Sequence, residues 1–262
     1  MSQFFTTEIS SYEVLDFITV KSNALKKRAD ITIFNPSKND ISDKPLPLVI
    51  LLHGVYGSHW AWTTKGKVHE TAQRLVTEGK IKPMILAMPS DGLFGDGSGY
   101  VPHKTENYEK WIVEDVIDVM KEQYPQITYE SPIFISGLSM GGYGALRLGA
   151  KYPHLFKAFS GLSSITHFEQ LEQFVSDFQT IKNQATEQDG ALDWMIKNKA
   201  ILPPFRFDCG SNDVLIEQNR KLHSKLINQQ IPHVYEENQG EHSWDYWKEH
   251  IAKTLLFFDS FC

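Results

Sequence analysis

The 262-residue sequence has only two cysteines, Cys209 and Cys262, and no apolar run near the roughly 20 residues that a membrane-spanning helix needs. Two cysteines so far apart provide neither a disulfide framework nor a CxxC redox site. The N-terminal residues also lack the basic start, apolar stretch and small-residue cleavage site of a secretory signal peptide. We therefore expect a soluble cytoplasmic protein that does not bind a membrane.

Positive charge is scarce as well, with 26 Lys and Arg against 32 Asp and Glu and a formal net charge of −6. Because the sequence has no run of basic residues, it has few side chains that would bind a phosphate backbone. Nucleic acid is therefore not an expected partner. No P-loop sequence occurs, and the only near-match to the H-E-x-x-H zinc motif, at His69 and Glu70, ends in Gln73. We expect neither a metal nor a cofactor.

The composition is that of an ordinary globular protein, with 41% hydrophobic and 22% charged residues. A chain of this length buries about three quarters of its unfolded surface, so a large core is available. No internal repeat, flexible linker or break in composition divides it. We predict one domain over residues 1–262.

The order of apolar patterns predicts an α/β fold. Two β-rich runs at 12–20 and 27–34 predict an antiparallel hairpin, and the apolar run 48–52 predicts a central strand buried on both faces. Further strands are predicted at 83–88, 133–136, 157–161, 205–209 and 233–236, and helices at 64–78, 108–124, 141–151, 214–229 and 243–258. This alternation indicates βαβ units, a mostly parallel sheet and helices on both of its faces.

Residues 163–202 fit no strand and are polar and roughly helical. We call this stretch the cap segment, because we predict that it forms a small helical cap over the C-terminal edge of the sheet.

A G-x-S-x-G sequence centred on Ser139 follows a predicted strand and precedes a predicted helix. A nucleophilic serine must stand on a turn so tight that its neighbours have to be small, and Gly137, Gly141 and Gly142 meet that need. The amide of Met140, at the start of the helix, can donate to a developing oxyanion. The motif predicts Ser139 as a nucleophile.

A serine hydroxyl needs a base, and the base needs an orienting acid. In α/β-hydrolases the acid and then the histidine follow the serine along the chain. His242 is the one later histidine in a loop between the predicted last strand and last helix, so we predict it as the base.

For the acid, Asp213 follows the turn residues Gly-Ser-Asn and is favoured, although it could instead be a helix N-cap. Asp208 lies within a predicted strand and is the alternative, with a structural role expected.

The loop after the first parallel strand should supply the second oxyanion donor. Gly54 and Gly57 let this loop turn an amide inward, and Val55 is the predicted donor. His53 precedes the nucleophile in the chain, so we expect it to hold the loop and not to act as the base.

Several aromatic residues lie in or near loops expected at the C-terminal edge of the sheet, where they could line an acyl or aryl pocket. The predicted substrate-binding residues are Trp60, Trp62, Phe94, Tyr100 and Trp244. Packing of helices on the sheet is the alternative for each of them, and we prefer that interpretation for Trp247.

Together these motifs resemble the esterase D or tributyrin esterase family of α/β-hydrolases. The resemblance rests on Leu-Leu-His53-Gly54 followed by Trp62, on the Gly-rich sequence around Ser139, on Cys-Gly-Ser-Asn-Asp213 and on Gly-Glu-His242-Ser-Trp-Asp-Tyr-Trp. It extends from about residue 12 to the end and is weakest in the cap segment. The family includes S-formylglutathione hydrolases, feruloyl and acetylxylan esterases and mycolyltransferases.

The resemblance implies an α/β-hydrolase fold with Ser139 as nucleophile, His242 as base and Asp213 as its partner. It also implies that the amides of Val55 and Met140 form the oxyanion hole. S-formylglutathione hydrolases typically have histidines where this chain has Leu138 and Tyr143, which makes that activity less favoured here.

We therefore expect a serine carboxylesterase that hydrolyses short-chain acyl or aryl esters through an acyl-enzyme, acting on a small-molecule ester and able to form a homo-oligomer. The alternatives are an acyltransferase with the same triad, a thioesterase of the S-formylglutathione hydrolase type, and a catalytically silent binding module.

Overall fold

The computed structural model describes residues 5–37 and 45–262. Within these ranges, nine strands form one sheet. They are β1 (Thr7–Tyr12), β2 (Leu15–Lys21), β3 (Arg28–Phe34), β4 (Leu48–Leu52), β5 (Ile85–Pro89), β6 (Ile133–Leu138), β7 (Ala158–Leu162), β8 (Phe205–Gly210) and β9 (Val234–Asn238).

The α-helices of the same described part lie between or after the strands. They are α1 (Ala61–Thr64), α2 (Val68–Thr77), α3 (Tyr108–Lys110), α4 (Ile117–Gln123), α5 (Met140–Lys151), α6 (Phe178–Gln184), α7 (Ala191–Lys197), α8 (Ile216–Asn228) and α9 (Trp244–Asp259). A π-helical turn, Trp111–Val116, joins α3 to α4, and the 3-10 turns Phe168–Gln173 and Lys199–Ile201 lie before α6 and after α7.

The sheet is mixed, in the spatial order β1-β2-β3-β5-β4-β6-β7-β8-β9. Neighbouring strands from β1 through β3 to β5 are antiparallel, and those from β5 through β4 to β9 are parallel. The predicted α/β class, with its N-terminal antiparallel hairpin and mostly parallel sheet, is confirmed. The carboxyl ends of the parallel strands share one edge, which is where ligands bind in sheets of this kind.

Helices cover both faces of the sheet, as predicted. Along β4, Leu48 and Ile50 point into a core shared with α4, α5 and α8. Val49 and Leu51 point the other way, into a second core shared with α2 and α9. This alternation places apolar side chains on both faces of one strand, which is why β4 is apolar throughout.

The structure differs from the sequence prediction at two places. It contains β1, an edge strand that pairs with β2 and carries few apolar side chains. The predicted helix 64–78 is interrupted, because Lys67 adopts a left-handed conformation (φ 50°) between α1 and α2.

The cap segment is helical, with α6, α7 and two 3-10 turns. Its later half is held by buried charges. Arg147 of α5 is fully buried and pairs with Glu109 and Glu187 at 2.5 and 2.6 Å, and Lys151 pairs with the same two carboxylates. Ion pairs therefore join the cap segment to the helix that follows Ser139.

No helix in the described ranges is both long enough and apolar enough to cross a membrane. Within residues 5–37 and 45–262, no group of three or more His, Cys, Asp or Glu side chains is arranged to hold a metal ion.

Candidate active site

Ser139 occupies a strained turn between β6 and α5. Its backbone lies at φ 54° and ψ −119°, a region that costs a non-glycine residue roughly 1–3 kcal/mol. The flanking glycines make the turn possible, because a Cβ at Gly137 would lie 2.3 Å from the Gly141 carbonyl oxygen. A Cβ at Gly141 would lie 2.4 Å from the Leu52 carbonyl oxygen.

Backbone hydrogen bonds hold this strained residue from both sides. The Ser139 amide donates to the Leu162 carbonyl at 3.0 Å, and the Ser139 carbonyl accepts from the amides of Tyr143 and Ile165 at 3.1 and 3.3 Å. The strand beside β6 and the first turn of α5 therefore fix the position of the hydroxyl, which lies at the carboxyl edge of the sheet.

His242 lies between Ser139 and Asp213 in one continuous chain of hydrogen bonds. Its Nε2 is 3.0 Å from Ser139 Oγ, and its Nδ1 is 2.9 and 3.0 Å from the two carboxylate oxygens of Asp213. Because a carboxylate only accepts, Nδ1 carries the proton and Nε2 is left free to accept from the serine hydroxyl.

Asp213 is oriented by the turn after β8. Its Oδ1 accepts from the Leu215 amide at 2.8 Å, and its own amide donates to the Gly210 carbonyl. Burial works to raise the pKa of this carboxyl, but its hydrogen bonds with His242 and Leu215 outweigh burial, and the pKa is lowered. Asp213 is therefore ionised when it faces the imidazole.

The alternative acid, Asp208, is engaged elsewhere. It is fully buried, its Oδ2 lies 2.8 Å from Arg206 and its Oδ1 accepts from the Tyr246 hydroxyl at 2.8 Å. No contact joins it to His242 among the residues that the structure describes. The structure thus brings Asp213, and not Asp208, to the histidine.

The two predicted oxyanion donors lie beside Ser139. Met140 is the first residue of α5, so its amide has no carbonyl four residues earlier within the helix. The loop that carries Val55 passes close to the serine, since a Cβ at Gly54 would lie 3.3 Å from Ser139 Cβ. In the described part of the chain, the Val55 amide has no hydrogen-bond acceptor.

His53 holds the same loop. It is buried, its Nδ1 donates to the Gly54 carbonyl at 2.6 Å, and its Nε2 accepts from the Asp91 amide at 2.9 Å. Burial lowers its pKa, so the ring stays neutral and keeps both bonds.

A cleft of about 360 Å³ opens at Ser139 and His242. Its other lining residues are Gly54, Val55, Tyr56, Gly57, Trp60, Ala61, Lys65, Leu138, Phe174, Ser243, Trp244 and Trp247. The walls are mainly aromatic and apolar, which suits the carbon skeleton of an organic ester.

The predicted aromatic residues divide into two groups. Trp60 and Trp244 line the cleft, whereas Trp62, Phe94 and Tyr100 are absent from its described lining. Trp62 is buried, and its indole nitrogen donates to the Leu52 carbonyl. The other two also turn inward. Tyr100 is fully buried with its hydroxyl bonded to the His53 carbonyl, and Phe94 packs on His103 and Tyr108.

Sequence reasoning missed several cleft residues, including Phe174 and Lys65, and assigned another to packing alone. Phe174 of the cap segment stacks on His242, with ring centroids 5.5 Å apart, and no motif indicated it. Lys65, at the end of α1, contributes a charge. Trp247 packs edge-on against His242 and Trp244, so it belongs both to the core and to the cleft wall.

Tyr56 and Asp96 connect the oxyanion loop to the cap segment. The Tyr56 hydroxyl donates to the Phe174 carbonyl at 3.0 Å, and the Tyr56 amide donates to the Asp96 carbonyl. The Asp96 carboxylate accepts from the amide and hydroxyl of Ser176, both at 3.2 Å. Phe174 is therefore held over His242 by bonds to the loop that carries Val55.

Comparison with known proteins extends this description. A family profile described as "Putative esterase" matches residues 22–258. An acetyl esterase of Caldicellulosiruptor saccharolyticus is 28% identical, with 91% of this chain and 95% of that protein covered.

Solved structures share the fold. A ferulic acid esterase superposes with a TM-score of 0.83 at 24% identity, covering 95% of this chain and 97% of that one. A fluorophosphonate-binding serine hydrolase of Staphylococcus aureus has a TM-score of 0.78 at 21% identity, covering 93% and 97%. The family match over most of the sequence confirms the resemblance: the chain belongs to the esterase family of α/β-hydrolases, which are carboxylic ester hydrolases.

Proposed function

We propose that the protein is a serine carboxylesterase that hydrolyses short-chain acyl or aryl esters through an acyl-enzyme. The observation that carries this proposal is the hydrogen-bonded chain from Asp213 through His242 to Ser139 Oγ at the floor of an apolar cleft. Each member has the partner that its role in nucleophilic catalysis requires.

In the first half of the reaction, Ser139 Oγ attacks the ester carbonyl carbon while His242 Nε2 takes the hydroxyl proton. The amides of Val55 and Met140 donate to the oxyanion of the tetrahedral intermediate. Asp213 stabilises the positively charged imidazole and keeps Nδ1 protonated. The C–O bond to the alcohol then breaks, and His242 returns the proton to the leaving oxygen.

In the second half, water takes the place of the alcohol. His242 removes a proton from the water, whose oxygen attacks the acyl carbonyl of the ester to Ser139. Collapse of this second tetrahedral intermediate releases the acid and restores the serine hydroxyl. The same three side chains and the same two amides serve both halves.

The cleft supports a small ester with an acyl or aryl group. Trp60, Trp244 and Phe174 supply flat apolar walls, and similar proteins are named acetyl esterase and ferulic acid esterase. Two positions at which S-formylglutathione hydrolases typically have histidines are occupied here by Leu138 and Tyr143. Leu138 is apolar, and the Tyr143 hydroxyl donates to the Asp189 carbonyl at 2.6 Å. These two positions favour an oxygen ester over S-formylglutathione.

The test is hydrolysis of p-nitrophenyl esters from acetate to octanoate, together with methyl ferulate. Ser139→Ala is compared with Ser224→Ala, which removes an exposed hydroxyl on α8. We expect turnover of the shorter or aromatic esters, lost only in Ser139→Ala. Hydrolysis that survives this substitution contradicts the proposal. With alcohols added, transfer product in excess of free acid would instead identify an acyltransferase.

A further inference from the structure

We propose that Lys65 makes the cleft selective for esters that carry a carboxylate. This inference rests on the proposed esterase function and names the class of substrate on which that function acts.

Lys65 places one positive charge in the lining of the cleft. Among the described residues that line the cleft, it is the only side chain with a permanent charge, and the lining contains no Asp or Glu. The molecule as a whole carries a net charge of −6. The single charged side chain in the lining is therefore opposite in sign to the net charge of the protein.

Lys65 also lacks an ionic partner. No carboxylate lies within 4.0 Å of its ammonium group in the described ranges, whereas some surface lysines of this protein are paired. Lys67, two residues later, lies 3.5 Å from Glu70, and Lys110 lies 3.2 Å from Glu114. An ammonium group without a carboxylate can accept one from a ligand at no loss of an existing pair.

The end of α1 places this charge beside an aromatic ring. Lys65 ends α1, and its amide donates to the Ala61 carbonyl at 3.1 Å. Its ammonium nitrogen lies 5.9 Å from the centre of the Trp60 ring, a cation–π distance. Both residues line the cleft, so the charge lies beside a flat aromatic wall.

This pairing of ring and charge matches a substrate with an apolar body and an anionic end. The apolar part packs on Trp60 while the carboxylate accepts from Lys65, and the ester carbonyl remains at Ser139. A charge-assisted hydrogen bond is stronger than a neutral one. Because the Lys65 side chain is exposed to solvent, losing this bond lowers kcat/KM by roughly threefold to fivefold. Uncharged esters do not make this bond.

The experiment compares matched charged and neutral substrates. For a carboxylate on the acyl side, the pair is p-nitrophenyl hemiglutarate and p-nitrophenyl pentanoate. For a carboxylate on the alcohol side, the pair is 3-carboxyphenyl acetate and phenyl acetate. Each variant is compared with the wild type on the same substrate, so differences in leaving-group reactivity cancel.

The variants are Lys65→Met, Lys65→Glu and the control Lys67→Met, which removes the same charge from a residue outside the cleft lining. We expect Lys65→Met to lower kcat/KM about threefold to fivefold more for the charged member of one pair than for its neutral partner, mainly through KM. Lys65→Glu should enlarge that gap, and Lys67→Met should not produce it. The pair that responds shows which side of the ester carries the carboxylate.

Ionic strength provides an independent readout. Salt screens a partly exposed charge pair. The wild-type preference for the responding charged ester should therefore shrink as salt rises, and Lys65→Met should show little of this dependence.

Equal losses on charged and neutral esters in Lys65→Met would overturn the inference while leaving a Ser139-dependent esterase in place. No hydrolysis of any ester above Ser139→Ala would instead contradict the proposed function itself. The two failures are therefore distinguishable.

Discussion

His242 is contacted by two regions of different kinds. On one side, the sheet edge supplies Asp213 and Ser139, whose positions are set by backbone hydrogen bonds and by glycines with no room for a side chain. On the other side, the cap segment supplies Phe174, which is held by contacts from Tyr56. Under the proposed mechanism the sheet edge carries the chemistry, and we expect the cap segment to determine which esters enter the cleft.

The cap segment also differs from the sheet in how it is anchored. Apolar side chains on both faces hold the strands in place. The cap segment has apolar contacts too, but it is joined to α5 through the ion pairs of Arg147 and through the Tyr143 hydroxyl, which donates to the Asp189 carbonyl. We therefore expect substitutions at the sheet edge to act on catalysis and substitutions at these ion pairs to act on stability.

The largest effect should come from Ser139→Ala. Removing the nucleophile of a serine hydrolase lowers kcat by about 10⁶-fold while binding groups remain. We expect a loss of that order with the unfolding midpoint nearly unchanged, because the hydroxyl has no bond other than the one to His242 among the described residues. A residual rate within tenfold of the wild type would place the chemistry elsewhere.

The two aspartates provide a sharper comparison. Asp213→Asn should lower kcat by about 10⁴-fold, because an amide can donate to Nδ1 and favour the wrong imidazole tautomer. Asp208→Asn should act mainly on the free energy of unfolding, since its partners are Arg206 and Tyr246. Kinetics on folded protein and urea unfolding separate the two. A large loss of kcat in Asp208→Asn, with little loss in Asp213→Asn, would make Asp208 the orienting acid.

Glu109→Gln tests the charge cluster to which the cap segment is anchored, because Glu109 of α3 pairs with the same Arg147 and Lys151 as Glu187 does. Leaving Arg147 buried beside a neutral amide should cost about 3–5 kcal/mol of unfolding free energy at pH 7. Burial works to raise the pKa of Glu109, but Arg147, Lys151 and Tyr152 outweigh it, and the pKa is lowered. The advantage of wild type over variant is therefore fully present above the ordinary glutamate pKa and is lost as pH falls through the lowered one.

The control for this prediction is Glu114→Gln, which removes the exposed partner of Lys110. Urea unfolding at several pH values measures both variants. We expect little change in the control, because exposed pairs contribute little. Equal effects in the two variants would show that burial of the Arg147 cluster adds no stability.

The smallest effect should come from Phe174→Ala. Stacked rings contribute roughly 0.5–1.5 kcal/mol beyond their buried area, which corresponds to about a three- to tenfold loss in kcat/KM. The loss should be larger for methyl ferulate than for p-nitrophenyl acetate, because an aromatic substrate also uses the wall. Tyr129→Ala, at an exposed ring outside the described cleft lining, is the control. Equal losses on both substrates would remove Phe174 from substrate binding.

The meeting of Ser139, His242 and Asp213 could be predicted because each depends on local features. Small residues around the serine, turn residues before the aspartate and chain order among the histidines are all visible in the sequence. The alternation of strands and helices is equally local. The edge strand β1 escaped prediction because it is exposed and carries few apolar residues.

The cleft wall was harder to predict because loop position does not decide side-chain direction. Trp60 and Trp62 lie two residues apart, yet one lines the cleft and the other is buried beneath it. Phe174 reaches His242 only because the cap segment folds back across the sheet edge, a long-range contact without a local signal. The position of Lys65 in the cleft lining likewise depends on where α1 ends, just before the left-handed residue Lys67.

The central claim is that Ser139 becomes acylated during ester hydrolysis. Rapid quenching of the wild-type protein with p-nitrophenyl butyrate, followed by mass spectrometry of the intact chain and its peptides, tests this directly. The account predicts an added butyryl mass on the peptide that contains Ser139, absent in Ser139→Ala and accumulated in a burst with p-nitrophenol. Product formation with no adduct, or with the adduct on another residue, would contradict it.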